Sequence, residues 1–87
     1  QSGDSREIKS PTVFKEKGYR FFLFSREEPR MHIHVVSPDG EAKFWLEPQI
    51  ELAVNYQFSR TQLKLIESLI EEHQNEIVSA WKLHFSS

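Results

Sequence analysis

The stretch from Ser25 to Glu47 constrains the fold more than any other. Met31-His32-Ile33-His34-Val35-Val36 is a β-branched and apolar run whose side chains alternate between two faces, the mark of a strand. Met31, Ile33 and Val35 share one face; His32, His34 and Val36 share the other. Ala42, Phe44 and Leu46 then alternate with Lys43, Trp45 and Glu47, so a second strand follows. Between them, Ser37-Pro38-Asp39-Gly40-Glu41 carries an Asp-Gly pair, which predicts a two-residue hairpin turn. A slip of one residue would put the apolar set of one strand on the polar face of the other. An Asp39-Gly40 turn avoids this and predicts Val35 opposite Phe44, Ile33 opposite Leu46, His34 opposite Trp45 and His32 opposite Glu47. Two imidazoles, an indole and a carboxylate would then gather on the face turned away from the core.

The flanking segments extend the same pattern. Residues 1–10 are polar and unpatterned, a tail or processed extension rather than a signal peptide, and residues 11–87 read as one domain. Pro11-Thr12-Val13-Phe14 opens a short strand, and Lys15-Glu16-Lys17-Gly18 is a charged turn. Tyr19, Phe21 and Leu23 then alternate with Arg20, Phe22 and Phe24, so this strand is apolar on both faces and needs cover on both. Arg26-Glu27-Glu28-Pro29-Arg30 is a charged loop. Beyond Pro48, the alternation of Ile50, Leu52, Val54 and Tyr56 predicts a further strand.

The C-terminal third is helical. Ser59-Arg60-Thr61-Gln62 is a capping box with Phe58 and Leu63 at the staple positions. Leu63, Ile66, Ile70, Ile77, Trp81 and Phe85 follow on one stripe, which also takes in His73 and His84. One straight helix here would be about 39 Å long, more than so small a domain is wide. The polar run Glu71-Glu72-His73-Gln74-Asn75 is the place for a break. The expected fold is therefore α+β: a mainly antiparallel sheet of three or four strands with a C-terminal helical layer, one kinked helix or two consecutive ones.

Composition excludes several classes. With no cysteine among 87 residues, the chain has neither disulfides nor thiolate chemistry, which suits a cytoplasmic protein. No stretch has the length of a transmembrane helix. A net charge of −2 gives no basic excess for nucleic-acid binding by charge alone. The three glycines are scattered, so there is no phosphate loop, and no serine, histidine and carboxylate stand at a catalytic spacing.

Gly18-Tyr19-Arg20-Phe21-Phe22, Glu28-Pro29-Arg30-Met31-His32-Ile33-His34-Val35 and Gly40-Glu41-Ala42-Lys43-Phe44-Trp45-Leu46-Glu47-Pro48 resemble the small bacterial family called domain of unknown function 4160. The run from Glu71 through Trp81 to Phe85 is similar to that family's closing helix, so the resemblance spans Pro11 to Phe85. Where many members carry two prolines before the first histidine, this chain has Arg30-Met31. The resemblance implies no established activity. It does imply one half of a toxin–antitoxin-type pair, beside a second small protein of family 2442.

Two uses of the non-core face follow. In the first, His32, His34, Trp45, Glu47, Phe22, Phe24, Arg30 and Lys43 form a binding face for a small protein partner or for self-association. The cover for its rings would be a partner chain or the N-terminal tail. Arg20, Arg26, Lys15 and Lys17 near the same rings also suit single-stranded nucleic acid, although Glu16, Glu27 and Glu28 cancel much of the charge. In the second, His32 and His34, two apart on a strand, chelate a divalent metal with Glu47, with His73 or His84 as a fourth ligand. Such a site would be that of a metal-dependent nuclease or hydrolase with Arg26 and Arg30 at the phosphate. The plain alternative is a histidine paired with a carboxylate and packed on an indole. His73 and His84, eleven residues apart, cannot share an ion on a straight helix and are expected as partly buried core histidines.

Overall fold

The computed structural model describes residues 12–24 and 29–85. The expected extension over residues 1–10 and the loop with Arg26 therefore lie outside the described residues. Strands β1 (Thr12–Glu16), β2 (Tyr19–Phe22), β3 (His32–Ser37), β4 (Gly40–Trp45) and β5 (Glu51–Tyr56) form one antiparallel sheet in chain order. Helices α1 (Arg60–Glu72) and α2 (Gln74–Phe85) follow. The α+β class is as expected, but the strands number five rather than three or four. The short opening segment pairs along β2 from Glu16↔Tyr19 to Thr12↔Phe22. Its turn places Lys17 at φ 54° and Gly18 at φ 84°, the two left-handed residues of a type I′ hairpin.

The β3–β4 hairpin departs from the expected register. Its pairs are His32↔Trp45, Ile33↔Phe44, His34↔Lys43, Val35↔Ala42 and Ser37↔Gly40. The predicted partners, His34 with Trp45 and His32 with Glu47, are two residues off. The loop is Pro38-Asp39, not Asp39-Gly40. Proline presets φ for the second position of a type I turn, with serine before it and glycine two places after, as in Ser37-Pro38-Asp39-Gly40. The Ser37 hydroxyl accepts from the Asp39 amide at 3.1 Å, which tightens that turn. Gly40 is required elsewhere: a Cβ there would collide with the Tyr56 carbonyl oxygen of β5. A two-residue error leaves parity intact, so Ile33, Val35, Ala42 and Phe44 all stay on the predicted core face.

β5 breaks its own alternation. Phe44 pairs with Leu52 and Lys43 with Val54, so Ala53 is an extra, bulged residue. Leu52 stays on the core side, while Val54 and Tyr56 cross to the other face. The single apolar face expected for Ile50, Leu52, Val54 and Tyr56 is thus split.

The helices pack on the apolar face of the sheet, and Trp81 of α2 also reaches the His32 ring at the start of β3. Phe21, Ile33 and Phe44 meet Ile66, Ile70 and Ile77, all buried. The predicted capping box forms: the Gln62 amide donates to the Ser59 hydroxyl at 3.1 Å and the Ser59 amide to Gln62 Oε1 at 2.9 Å. Phe58, at the staple, is buried. The helical run breaks at His73, inside the polar segment where a break was expected. Phe85 ends the stripe half exposed, its ring against Trp81 at 4.1 Å. No described helix is long and apolar enough to cross a membrane.

Candidate binding face

Antiparallel pairing lines up side chains from all five strands in rows across the face opposite the core. One row runs Thr12, Phe22, His34, Lys43, Val54. The next runs Lys15, Arg20, Val36, Glu41, Tyr56. Between them lies an open groove of about 300 Å³, lined by Phe22, His34, Glu41, Lys43, Val54 and Tyr56. Val54 is exposed by 42% and Tyr56 by 63% along it, and Phe24, beyond β2, by 39%. These are large apolar groups for a surface position.

Cations sit on the rings. The Arg20 guanidinium lies 4.6 Å from the Phe22 ring centre, Arg30 4.2 Å from Trp45, and the Lys43 ammonium 4.6 Å from Trp45. His34 stacks on Phe22 at 5.3 Å and meets Phe24 edge-on at 5.8 Å. Attraction to the ring quadrupole holds each charged head in place, so less side-chain freedom remains to be lost when an anionic group arrives. The face is thus an apolar floor with ordered cations.

The predicted face residues separate into two sets. Phe22, Phe24, His34, Lys43, Trp45 and Arg30 come together. His32 does not join them at the surface: its ring is completely buried, edge-on to Trp45 at 5.9 Å, His34 at 5.2 Å and Trp81 of α2 at 5.0 Å. Its Nδ1 faces the Arg30 carbonyl oxygen at 2.6 Å. A carbonyl only accepts, so Nδ1 carries a proton and, in the neutral ring, Nε2 holds the lone pair. The Nε2 atoms of His32 and His34 are both shielded from solvent.

Glu47 turns elsewhere. Its Oε2 accepts from the Met31 amide at 3.2 Å, and Arg30 Nε donates to its main-chain oxygen at 3.0 Å. These bonds tie the entry of β3 to the exit of β4. The expected His32–Glu47 pair is absent because the register is shifted by two. Among the described residues, the three donors close enough to share an ion belong instead to Glu16, Glu72 and His73, within 4.8 Å of one another.

His73 is half-buried, as expected of a partly buried core histidine, and it also works as a clamp. Nε2 lies 2.8 Å from Glu16 Oε1 of β1, and Nδ1 lies 2.9 Å from Glu76 Oε1 of α2. The Phe14 ring stacks on it at 3.9 Å. The carboxylate of Glu76, then that of Glu16, raises its pKa above the ordinary value by favouring the imidazolium. With a carboxylate at each nitrogen, the ring is set to donate two hydrogen bonds rather than to coordinate an ion. Glu16 and His73 are 57 residues apart, and no spacing rule could have joined them.

Sequence reasoning also missed Val54 and Tyr56 as members of the open face, since the bulge at Ala53 has no signature in the alternation. A family model described as a domain of unknown function (DUF4160) matches residues 18–82 of the 87. No curated protein and no solved structure matches.

Proposed function

We propose that this chain, which belongs to the DUF4160 family, is a non-enzymatic module whose open sheet face binds a small partner protein. The observation that supports this most is the pair of side-chain rows from Phe22 to Val54 and from Arg20 to Tyr56 on the face opposite the buried core, ending in the exposed Val54 and Tyr56. Arg20, Arg30 and Lys43 above the rings favour a partner segment that carries carboxylates among apolar side chains. The anchors are the rings, because buried aromatic and arginine groups dominate the energy of such interfaces. A module of this kind fits one half of a toxin–antitoxin-type pair, its partner a small protein encoded beside it. Calorimetric titration of that neighbouring protein into the purified chain tests the reading. Binding that weakens about tenfold or more in Lys43→Glu and in Phe22→Ser supports it, since a central anchor contributes upwards of about 1.4 kcal/mol. Absence of binding, or equal binding by both variants, overturns it.

The alternative, a metal-dependent nuclease or hydrolase on His32, His34 and Glu47, has one observation in its favour. The Arg30 carbonyl fixes the His32 tautomer in the way that an outer-shell partner orients a metal ligand. Against it, a hydrolytic metal needs an open coordination position, and His32 is wholly buried while the Glu47 carboxylate is turned to Met31. Zinc titration followed by the imidazole NMR signals discriminates. Joint shifts of the His32 and His34 rings that disappear in His34→Ala would favour the alternative.

A further inference from the structure

The two edges of the sheet are guarded differently. β1 carries Lys15 and has α2 packed against it. β5, the other edge, has no lysine, arginine or proline, and three of its six side chains are large, apolar and exposed: Leu52, Val54 and Tyr56. Among the described residues nothing pairs with its outer side. An edge of about 20 Å that lacks the usual charges and prolines is a template for another strand.

The strand's own charge and bulge select the occupant. Glu51 is its single charged residue and stands at one end. Parallel pairing of two such strands would place carboxylate beside carboxylate, whereas antiparallel pairing sends the two Glu51 side chains to opposite ends. The bulge at Ala53 then decides the register. Glu51 and Tyr56 pair with Trp45 and Glu41, on the open face; Leu52 and Asn55 pair with Phe44 and Ala42, on the core face. Setting Glu51 opposite Tyr56 and Leu52 opposite Asn55 therefore matches faces at both pairs. Setting Val54 opposite itself would put Leu52 against Tyr56, from opposite faces.

We propose that β5 pairs antiparallel with β5 of a second copy of this chain about a two-fold axis, with Glu51 opposite Tyr56 and Leu52 opposite Asn55. The contact is isologous, so each pairing occurs twice. The result is a ten-stranded sheet whose open faces are continuous. The row that ends at Tyr56 in one copy carries on into Glu51, Trp45 and His32 of the other. Only main-chain edges and the side chains of β5 are used, so the assignment stands whether or not the open face binds a partner protein.

Sedimentation equilibrium at millimolar concentration tests the pairing, with far-UV circular dichroism to verify that each variant is folded. The native chain is expected to run at twice the monomer mass. Tyr56→Glu should weaken the dimer about tenfold, because symmetry doubles the clash of carboxylate against Glu51. Tyr56→Lys should preserve it, and Glu51→Lys combined with Tyr56→Glu should restore it. A native chain that stays monomeric overturns the proposal. Equal behaviour of the two Tyr56 variants, or failure of the charge-swapped pair to recover, overturns the register and with it the proposal.

Discussion

The two faces of this sheet are built from the same strands and nearly the same residue types, yet only one is used to hold the chain together. On the covered face, Phe21, Ile33 and Phe44 lie against helices and are lost to solvent. On the other, Phe22, His34, Lys43 and Val54 sit at the adjoining pleat positions, with Arg20 over the Phe22 ring and His34 stacked against it. Helices α1 and α2 supply the cover for the first set. The difference teaches that apolar content alone does not mark a core. What marks it is whether the fold provides something to lie on top.

That contrast can be broken most forcefully from the covered side. Phe21→Ala removes a ring with no exposed surface and leaves a cavity beneath the helices, at an expected cost of about 3–5 kcal/mol in urea unfolding. A loss under about 1 kcal/mol would mean that the core is not where the buried residues place it.

The clamp that fastens the helical layer to the sheet comes next. The carboxylates of Glu76 and Glu16 favour the protonated form of His73, so its native pKa exceeds its unfolded one. Its contribution is complete below about pH 6.5, where the unfolded chain also binds the proton, and fades as pH rises through the raised native value. His73→Gln should cost on the order of 1 kcal/mol in acid, with its difference from the native chain shrinking in alkali. Urea midpoints across that range would show parallel curves if the clamp had no charged role.

The smallest effect belongs to the open face. Val54→Thr, at a side chain 42% exposed, should change stability by no more than about 0.5 kcal/mol. A larger loss would show that this face already has cover within the chain.

Parity made the faces readable in the sequence, because alternation assigns every side chain of β2, β3 and β4 to a side without any knowledge of register. It could not choose between turns two residues apart, since both keep the same faces. Pro38 settled that choice, and the Asp39-Gly40 pair misled. The cap at Ser59 and the break near His73 were equally legible, being local chemistry. The bulge at Ala53 was not, and with it went the position of Val54 and Tyr56. The His73 clamp depends on a contact with Glu16 that only the folded chain creates. The candidate site was thus foreseen as a face and as most of its residues. Its centre moved from His32 and Glu47 to the row through Phe22, His34, Lys43 and Val54.

The most direct test of that row is a residue-resolved map. An amide NMR spectrum of the isotope-labelled chain, recorded with and without the neighbouring small protein, reports which surface the partner meets. The account predicts shifts along Phe22, His34, Lys43 and Val54, with the outward residues of α1 and α2 unmoved. Shifts confined to those helices, with the sheet rows unchanged, would contradict it.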